Sequence, residues 1–484
     1  MSPDQIPALL ENRTYDDISV GETASLQRTL TKEDIEVFAI LSGDVNPAHL
    51  DEAYARESPF HRVIAHGMWG GTLISTVLGT RLPGPGTIYV SQQLSFLRPV
   101  GLGDVITVSV TVTHKGEKNR LRLACTCINQ EGKAVISGEA EVIAPTTPIR
   151  RPATALPELH LHRHERFAQL MALTAELEPV ACAVVFPVEA HGLRAAIEAR
   201  HAGLIRPVFI GPRQRIRALA DSLEIDLGAA DDADDADALT WVDADNATEA
   251  LHAALDLART GRVQALMQGD VDAAQLLRAL VHRQHGLRTH RRISHAYVAD
   301  VPDHAQPFLV TDAAVNIQPT LEDKRDIVQN AIDLARVLGM APRVAILSAA
   351  AAVHSKLSSS MDAAALCKML ERHQIAGGIV DGPLPFDAAI DADVARLTHP
   401  DSPVAGQANV LVVPNMETGD MLVKQLHLLA DADVAGIVLG AQVPVILTNA
   451  TDSPRTRLAS AALALLLAHA QGHLDGADAA HPPG

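Results

Sequence analysis

The chain has 484 residues, 47% hydrophobic, 20% charged and only 3% aromatic, with a formal net charge of −18 at pH 7. That hydrophobic fraction supports a sizeable core and excludes global disorder, and the length suggests about three lobes at roughly 100–200 residues each. The acidic balance argues against nucleic-acid or anionic-membrane binding, and the scarcity of aromatics against single-strand stacking platforms, so an anionic ligand must be held by local donors.

The opening stretch MSPDQIPALLENRTYDD lacks the basic-then-apolar pattern of a signal peptide. No apolar run reaches the ~18 residues of a spanning helix, and the Ala/Leu-rich run from Leu458 to Ala468 reads as a buried helix. A cytoplasmic location with no membrane partner is expected. Of the four cysteines, Cys125 and Cys127 share one face of an alternating segment, Cys182 and Cys367 stand apart, and no zinc spacing is present. Buried, inert thiols and no metal are expected.

In chain order, Thr31 and Asp34 form a capping arrangement before IEVFAILSG. The segment LSGDVNPAHLDEAYA then places Asp44, Asn46, Pro47 and His49 in a turn between helices, where Pro47 is expected to break helical pairing. A helix fits Ile64 to Leu82, stopped by Pro83 and Gly84. Three alternating segments follow, 105–114, 121–129 and 134–143; in the first, Ile106, Val108, Val110 and Val112 share a face. Such period-2 runs predict an antiparallel sheet with one buried face, wrapped around the apolar helix.

Residues 145–164 are Pro-rich at their start and read as a linker between a first domain, 1–144, and a second, 165–470. In the second domain, short continuous apolar runs at 179–188, 206–212, 263–270, 343–349, 376–383, 408–415 and 443–449 alternate with helical patterns. They predict strands of a parallel sheet buried on both faces, with ligands at the carboxyl ends, near Gly211, Gly269, Asp381, Asn415 and Asn449. The acidic stretch 229–238 reads as a solvated loop, and 471–484 as a disordered tail. No G-x-G-x-x-G follows a predicted strand, so a large sheet binding a dinucleotide is not expected.

A carboxylate and an imidazole five residues apart, Asp44 and His49, are suited to holding one water for proton transfer. The run FAILSGDVNPAHLDEAYARES and the following HRVIAHGMWGGTLISTVLGTRLPGPGTIYVSQQLSFLRPVGLGD closely resemble the R-specific enoyl-CoA hydratases of the MaoC-like hot-dog family, over roughly residues 15–144. The resemblance implies an α+β hot-dog fold in which Asp44 and His49 hold the catalytic water. That water would add to C3 of a trans-2-enoyl-CoA to give a (3R)-3-hydroxyacyl-CoA. It further implies an oxyanion donor at the Gly67 N–H, a substrate-facing Ser75 and a loop-bracing Asn46, the last equally readable as a simple Asx turn. His66, at the helix start, reads as structural rather than as a substrate contact. Trp69, where the family carries a smaller aliphatic side chain, suggests a trimmed acyl tunnel and a short-chain substrate.

Residues of about 165–470, with runs such as LVTDAAVNIQPTLEDKRDIVQNAIDLAR, GGIVDGPLPFDAAI and LVVPNMETGDMLVKQLHLLADADVAGIVLGAQVPVILT, resemble the phosphate acetyltransferase and phosphate butyryltransferase family. That resemblance implies an α/β, two-subdomain, isopropylmalate dehydrogenase-like fold, a homodimer or higher homo-oligomer, and acyl exchange between coenzyme A and phosphate. No bound cofactor is implied, only coenzyme A thioesters and phosphate as substrates. It assigns Thr311, Asp312, Asn316, Asn449, Asp452 and Ser453 to phosphate or coenzyme A binding. Three positions depart from the family: Ala450 where Arg is common, Gln268 where relatives carry Lys, and Asp420 where Asn is common. All three make the cleft less favourable for phosphate, so a second reading keeps the hydratase and makes this domain a non-catalytic module for coenzyme A binding or oligomerisation. Arg455, Arg457, Lys356 and Arg291 are the candidate compensating cations.

Overall fold

The computed structural model describes residues 9–154, 165–227, 239–302 and 304–478. The acidic stretch 229–238, residues 155–164 of the linker and residues 479–484 of the tail lie outside the described residues. The chain divides into two compact units, Met1–Leu161 and His162–Gly484.

The first unit runs β1 (Leu9–Glu11), β2 (Thr23–Thr29), α1 (Lys32–Ser42), α2 (Pro47–Leu50), α3 (Glu52–Glu57), α4 (Gly67–Thr80), β3 (Ile88–Phe96), β4 (Val105–Lys115), β5 (Arg120–Ile128), β6 (Ala134–Ile143) and β7 (Arg150–Pro152). Five strands form an antiparallel sheet in the order β2-β4-β5-β6-β3. The alternation works as the sequence predicts. Ile106, Val108, Val110 and Val112 are all buried, as are Leu121, Leu123, Cys125 and Cys127 on β5, and α4 supplies Leu73, Ile74, Val77 and Leu78 to the same core. Trp69 is part of this core at 5% exposure, so its bulk fills the interior between helix and sheet. Strands β6 and β3 approach so closely that a Cβ at Gly138 would lie 1.9 Å from the Gln93 carbonyl oxygen, a position only glycine can hold. The Thr31–Asp34 capping box starts α1, and Gly43 ends it in the left-handed region at φ 74°.

Two expectations change here. Pro47 does not break a helix: it opens α2 at the first position, where its missing N–H costs nothing. Residues 150–152 are not free linker either, because β7 pairs antiparallel with β1 and belongs to the first unit.

The second unit opens with α5 (Glu165–Thr174), β8 (Val180–Val185), α6 (Ala190–His201), β9 (Ile205–Ile210), α7 (Arg213–Ser222), β10 (Thr240–Val242), α8 (Ala247–Arg259), β11 (Ala265–Gln268) and α9 (Ala273–Leu280). It continues through β12 (Ser294–Asp300), β13 (Phe308–Thr311), α10 (Leu321–Val337), β14 (Arg343–Leu347), α11 (Ser358–Glu371), β15 (Ile379–Leu384), α12 (Phe386–Ile390), α13 (Ala392–Thr398) and β16 (Val410–Val412). It ends in α14 (Met416–Leu429), β17 (Asp433–Leu439), β18 (Val445–Ile446) and α15 (Pro454–Asp478). Helix α15 carries the expected buried Leu/Ala run and extends into the stretch expected to be disordered. Among the described residues, no helix is long and apolar enough to cross a membrane.

Among the described residues its strands form one 11-stranded sheet, ordered β10-β9-β8-β11-β18-β17-β12-β13-β16-β14-β15. The sheet is mixed, where the sequence reading expected parallel strands. Strands β10, β9, β8, β11 and β18 are mutually parallel, and so are β13, β16, β14 and β15. Between the blocks, β18–β17, β17–β12 and β12–β13 are all antiparallel. Three reversals make the two blocks run in opposite senses. The carboxyl ends of the strands therefore do not converge. Gly211, Gly269 and Asn449 follow strands of the first block, whereas Asp381 and Asn415 belong to the second. The apolar-run criterion missed β10, β12, β13 and β17; His295 and Tyr297 interrupt β12, Gly436 interrupts β17, and β10 and β13 are only three and four residues long.

Candidate functional site

In the first unit, Asp44 lies in the short loop between α1 and α2, and its carboxylate is exposed. The Asn46 N–H donates to Asp44 Oδ1 at 3.2 Å, and the Asn46 side chain caps α2 by accepting from the Ala48 N–H at 3.1 Å. Asn46 thus braces the loop through an Asx turn. His49 stands in α2 with its Nδ1 at 2.9 Å from the Ile64 carbonyl. A carbonyl only accepts, so Nδ1 carries the proton and Nε2 is left as an acceptor.

The structure adds a residue that sequence reasoning left as merely structural. His66, the residue before α4, is 3% exposed, and its ring lies 3.9 Å from that of His49, centroid to centroid. Its Nε2 sits 2.9 Å from the Asp44 backbone carbonyl, while its buried Nδ1 has no hydrogen-bond partner. Asp44, His49 and His66 each offer a donor atom within 4.8 Å of the others. The signal in the sequence was the spacing itself: His66 opens the central helix and so reaches back to the loop.

Gly67 is exposed at the first position of α4, where a first-turn N–H has no intrahelical acceptor. Phe96 covers it closely, because a Cβ at Gly67 would lie 3.2 Å from the Phe96 ring. Ser75 is exposed on the same helix, eight residues and about 12 Å further along its axis. The Asp44–His49–His66 group and Ser75 are therefore separate features of this unit.

In the second unit the six predicted residues fall into two groups. Thr311, Asp312 and Asn316 are buried, and their polar atoms are committed to internal bonds. The Thr311 hydroxyl donates to the His295 carbonyl at 2.9 Å. The Asp312 carboxylate accepts from the backbone N–H groups of Ala314, Val315 and Asn316 at 3.0–3.1 Å, and from the Asn316 amide. Burial nonetheless holds the Asp312 carboxyl above the ordinary carboxylate range. Asn316 also donates to the Ile293 carbonyl and accepts from Arg292. These side chains hold a loop in shape.

Asn449, Asp452 and Ser453 occupy the loop between β18 and α15. Asn449 and Ser453 are exposed and Asp452 is half-buried. The Asn449 N–H donates to Asp452 Oδ2 at 2.8 Å, and the Ser453 hydroxyl lies 3.1 Å from that of Thr456. Burial pushes the Asp452 carboxyl up, opposed by the Asn449 N–H and by the charges of Arg457, His191 and His427. Burial first, and then the Asp452 and Asp420 carboxylates, push the Tyr297 phenol up to about 12. His191, His427 and Tyr297 are neighbours of this loop that the sequence reading did not name.

The two groups meet the same strand: Asp452 acts on Tyr297 of β12, whose neighbour Ala296 pairs with Thr311. Arg455, just past Ser453, reaches Asp433, which pairs with Asp300 further along that strand.

The compensating cations are largely engaged. Arg457 is held by both carboxylate oxygens of Glu198 at 2.7–2.8 Å and by the Asp452 carbonyl, Arg455 pairs with Asp433, and Arg291 with Asp333. Gln268 is a buried strap: it donates to the Val271 carbonyl and accepts from the Thr448 N–H. Asp420 is neutralised by Lys424 at 2.8 Å.

Comparison with known proteins agrees with this division. Residues 19–129 match the model of the MaoC like domain, and residues 237–465 that of phosphate acetyl/butaryl transferase. A phosphate acetyltransferase of Rhizobium meliloti is 47% identical over 304 residues, which cover 63% of this chain and 93% of the relative. The structure of a branched-chain phosphotransacylase from Enterococcus faecalis is 28% identical, with a TM-score of 0.50, covering 60% of this chain and 99% of that one. An R-hydratase structure from Pseudomonas aeruginosa is 44% identical, with a TM-score of 0.31, covering 32% of this chain and 99% of that one. The chain is a fusion of a MaoC-like hot-dog domain with a phosphotransacylase domain, and through the latter it belongs to the phosphate acetyl/butaryl transferase family.

Proposed function

We propose that the N-terminal unit hydrates a trans-2-enoyl-CoA to a (3R)-3-hydroxyacyl-CoA, and that the C-terminal unit exchanges acyl groups between coenzyme A and phosphate. The observation that carries the hydratase reading is the fixed tautomer of His49. With Nδ1–H held by the Ile64 carbonyl, Nε2 accepts one proton of a water while the exposed Asp44 carboxylate accepts the other. Asp44 then acts as base as the water oxygen bonds to C3, and the electron pair of the C2–C3 double bond moves toward the thioester carbonyl. The Gly67 N–H stabilises that oxyanion, and a proton returned to C2 completes the addition. Ser75 is assigned to the substrate's longer, non-reacting part. Since Trp69 is a core residue, it gives no ground for a short-chain preference.

Exposed β3, with Ile88, Tyr89, Val90 and Phe96 all open, supports self-association as a homodimer or larger assembly.

For transacylation, the Asn449–Ser453 loop is the candidate site, and the Thr311, Asp312 and Asn316 group is its scaffold. A second reading is favoured by one observation: Arg457, which donates to the Asp452 carbonyl, is already paired with Glu198. A domain without phosphate chemistry would then serve coenzyme A binding or oligomerisation. One preparation decides between them. Loss of crotonyl-CoA absorbance with formation of the (3R) product is expected from the first unit, and phosphate-dependent release of coenzyme A from acetyl- or butyryl-CoA from the second. A release rate no higher than that of Asp452→Ala leaves only the second reading, and hydration intact in Asp44→Asn removes the hydratase mechanism.

A further inference from the structure

Tautomer assignment at the Asp44 loop leaves an excess of acceptors. His49 Nδ1 and His66 Nε2 must both carry protons, because each faces a backbone carbonyl at 2.9 Å. The nitrogens left over, His49 Nε2 and His66 Nδ1, are therefore lone-pair acceptors in the neutral rings. The Asp44 carboxylate adds a further acceptor, and one ligand atom from each of Asp44, His49 and His66 lies within 4.8 Å of the others. A water has only two protons to give. His66 Nδ1 is buried with no partner at all, on a side chain only 3% exposed, and an unpaired polar atom there carries a desolvation cost. A cation can take lone pairs from all three side chains at once.

We infer that Asp44, His49 and His66 form a binding site for a divalent transition metal ion of the Zn2+ type, whose occupancy displaces the catalytic water and switches hydration off. Two imidazoles and one carboxylate suit a borderline ion with an open position for water or another ligand, and not the oxygen-only sets that hold Ca2+ or Mg2+. Second-sphere carbonyls already orient both rings: Ile64 for His49 and Asp44's own carbonyl for His66. With metal–ligand bonds of about 2.0–2.2 Å, tetrahedral ligands stand roughly 3.3 Å apart. A separation of at most 4.8 Å closes to that spacing with a shift of no more than about 1.5 Å. The ion would occupy the base and the water site together, so metal and enoyl-CoA hydration exclude each other.

The inhibition arm rests on the hydratase reading; the binding arm does not. Full-length protein would be titrated with Co2+ by visible absorption and with Zn2+ by calorimetry, beside Asp44→Asn and His66→Gln. Asp44→Asn changes an exposed side chain and so keeps the comparison valid should His66→Gln fold poorly. The expected result is one site that weakens by about tenfold or more in each variant. Saturating Zn2+ should lower crotonyl-CoA hydration at least tenfold, with recovery on adding a chelator. Equal metal affinity in all three proteins would place the ion on other histidines and overturn the inference, as would full hydration with the site saturated. Metal binding lost in the variants, in a protein that hydrates nothing, would uphold the site and remove the hydratase reading instead.

Discussion

The Asp44 loop and the Asp312 loop begin from similar material: an Asp with an Asn close behind, at the end of a regular element. Their fates differ because of burial. Asp312 is 2% exposed and takes four N–H donors, so its lone pairs are spent on holding the chain. Asp44 is exposed and accepts one backbone N–H at 3.2 Å, which leaves its carboxylate free for water and substrate. A carboxylate saturated by its own loop is scaffold, and one left under-coordinated beside two imidazoles is available for chemistry.

The sharpest way to break this contrast is to remove both carboxylates. Asp44→Asn should lower crotonyl-CoA hydration by about 10²–10⁴-fold with little change in melting temperature. Asp312→Ala should do the reverse. It strands buried N–H donors, so unfolding should become easier by about 3 kcal/mol or more, read from denaturant midpoints, with hydration untouched. A stable Asp312→Ala protein that had lost only its phosphate-dependent reaction would show that Asp312 touches substrate.

A smaller effect sharpens the contrast within the second unit. If the Asn449–Ser453 loop meets phosphate, Ala450→Arg adds the planar fork that such an anion pairs with. Acyl-phosphate formation at limiting phosphate should then rise by about tenfold or more. An unchanged rate would mean that phosphate does not visit this loop.

The smallest effect is a pH dependence of stability. Burial pushes the His295 imidazole from 6.5 down to about 3. Between those values the unfolded chain binds a proton that the folded chain refuses. Stability from this residue is therefore complete above about pH 6.5 and is lost as pH falls toward about 3. Asp312, with a raised pKa, acts in the opposite direction just above the usual carboxylate range. Melting temperatures at about pH 5 and pH 7.5 should diverge less in His295→Gln than in the parent, and an identical divergence would remove His295 as the cause.

Much was legible in the sequence because it is local. Period-2 alternation placed Ile106 through Val112 on the buried face, and Thr31 with Asp34 marked the start of α1, since both signals depend on neighbours a few residues away. Asp44 and His49 were legible for the same reason: five residues of loop fix their mutual reach. The interruptions at His295 and Gly436 hid two central strands, and with them the reversal that points the two parallel blocks in opposite senses.

The sequence alone determined the two-domain order, the hot-dog sheet and the Asp44–His49 loop. Tertiary structure decided which polar groups remain unspent. His66 comes to Asp44 from 22 positions away, and Arg457 is claimed by Glu198 from 259 away. Residue type and spacing state what a side chain can donate or accept. Only the packed chain settles whether a partner has already taken it.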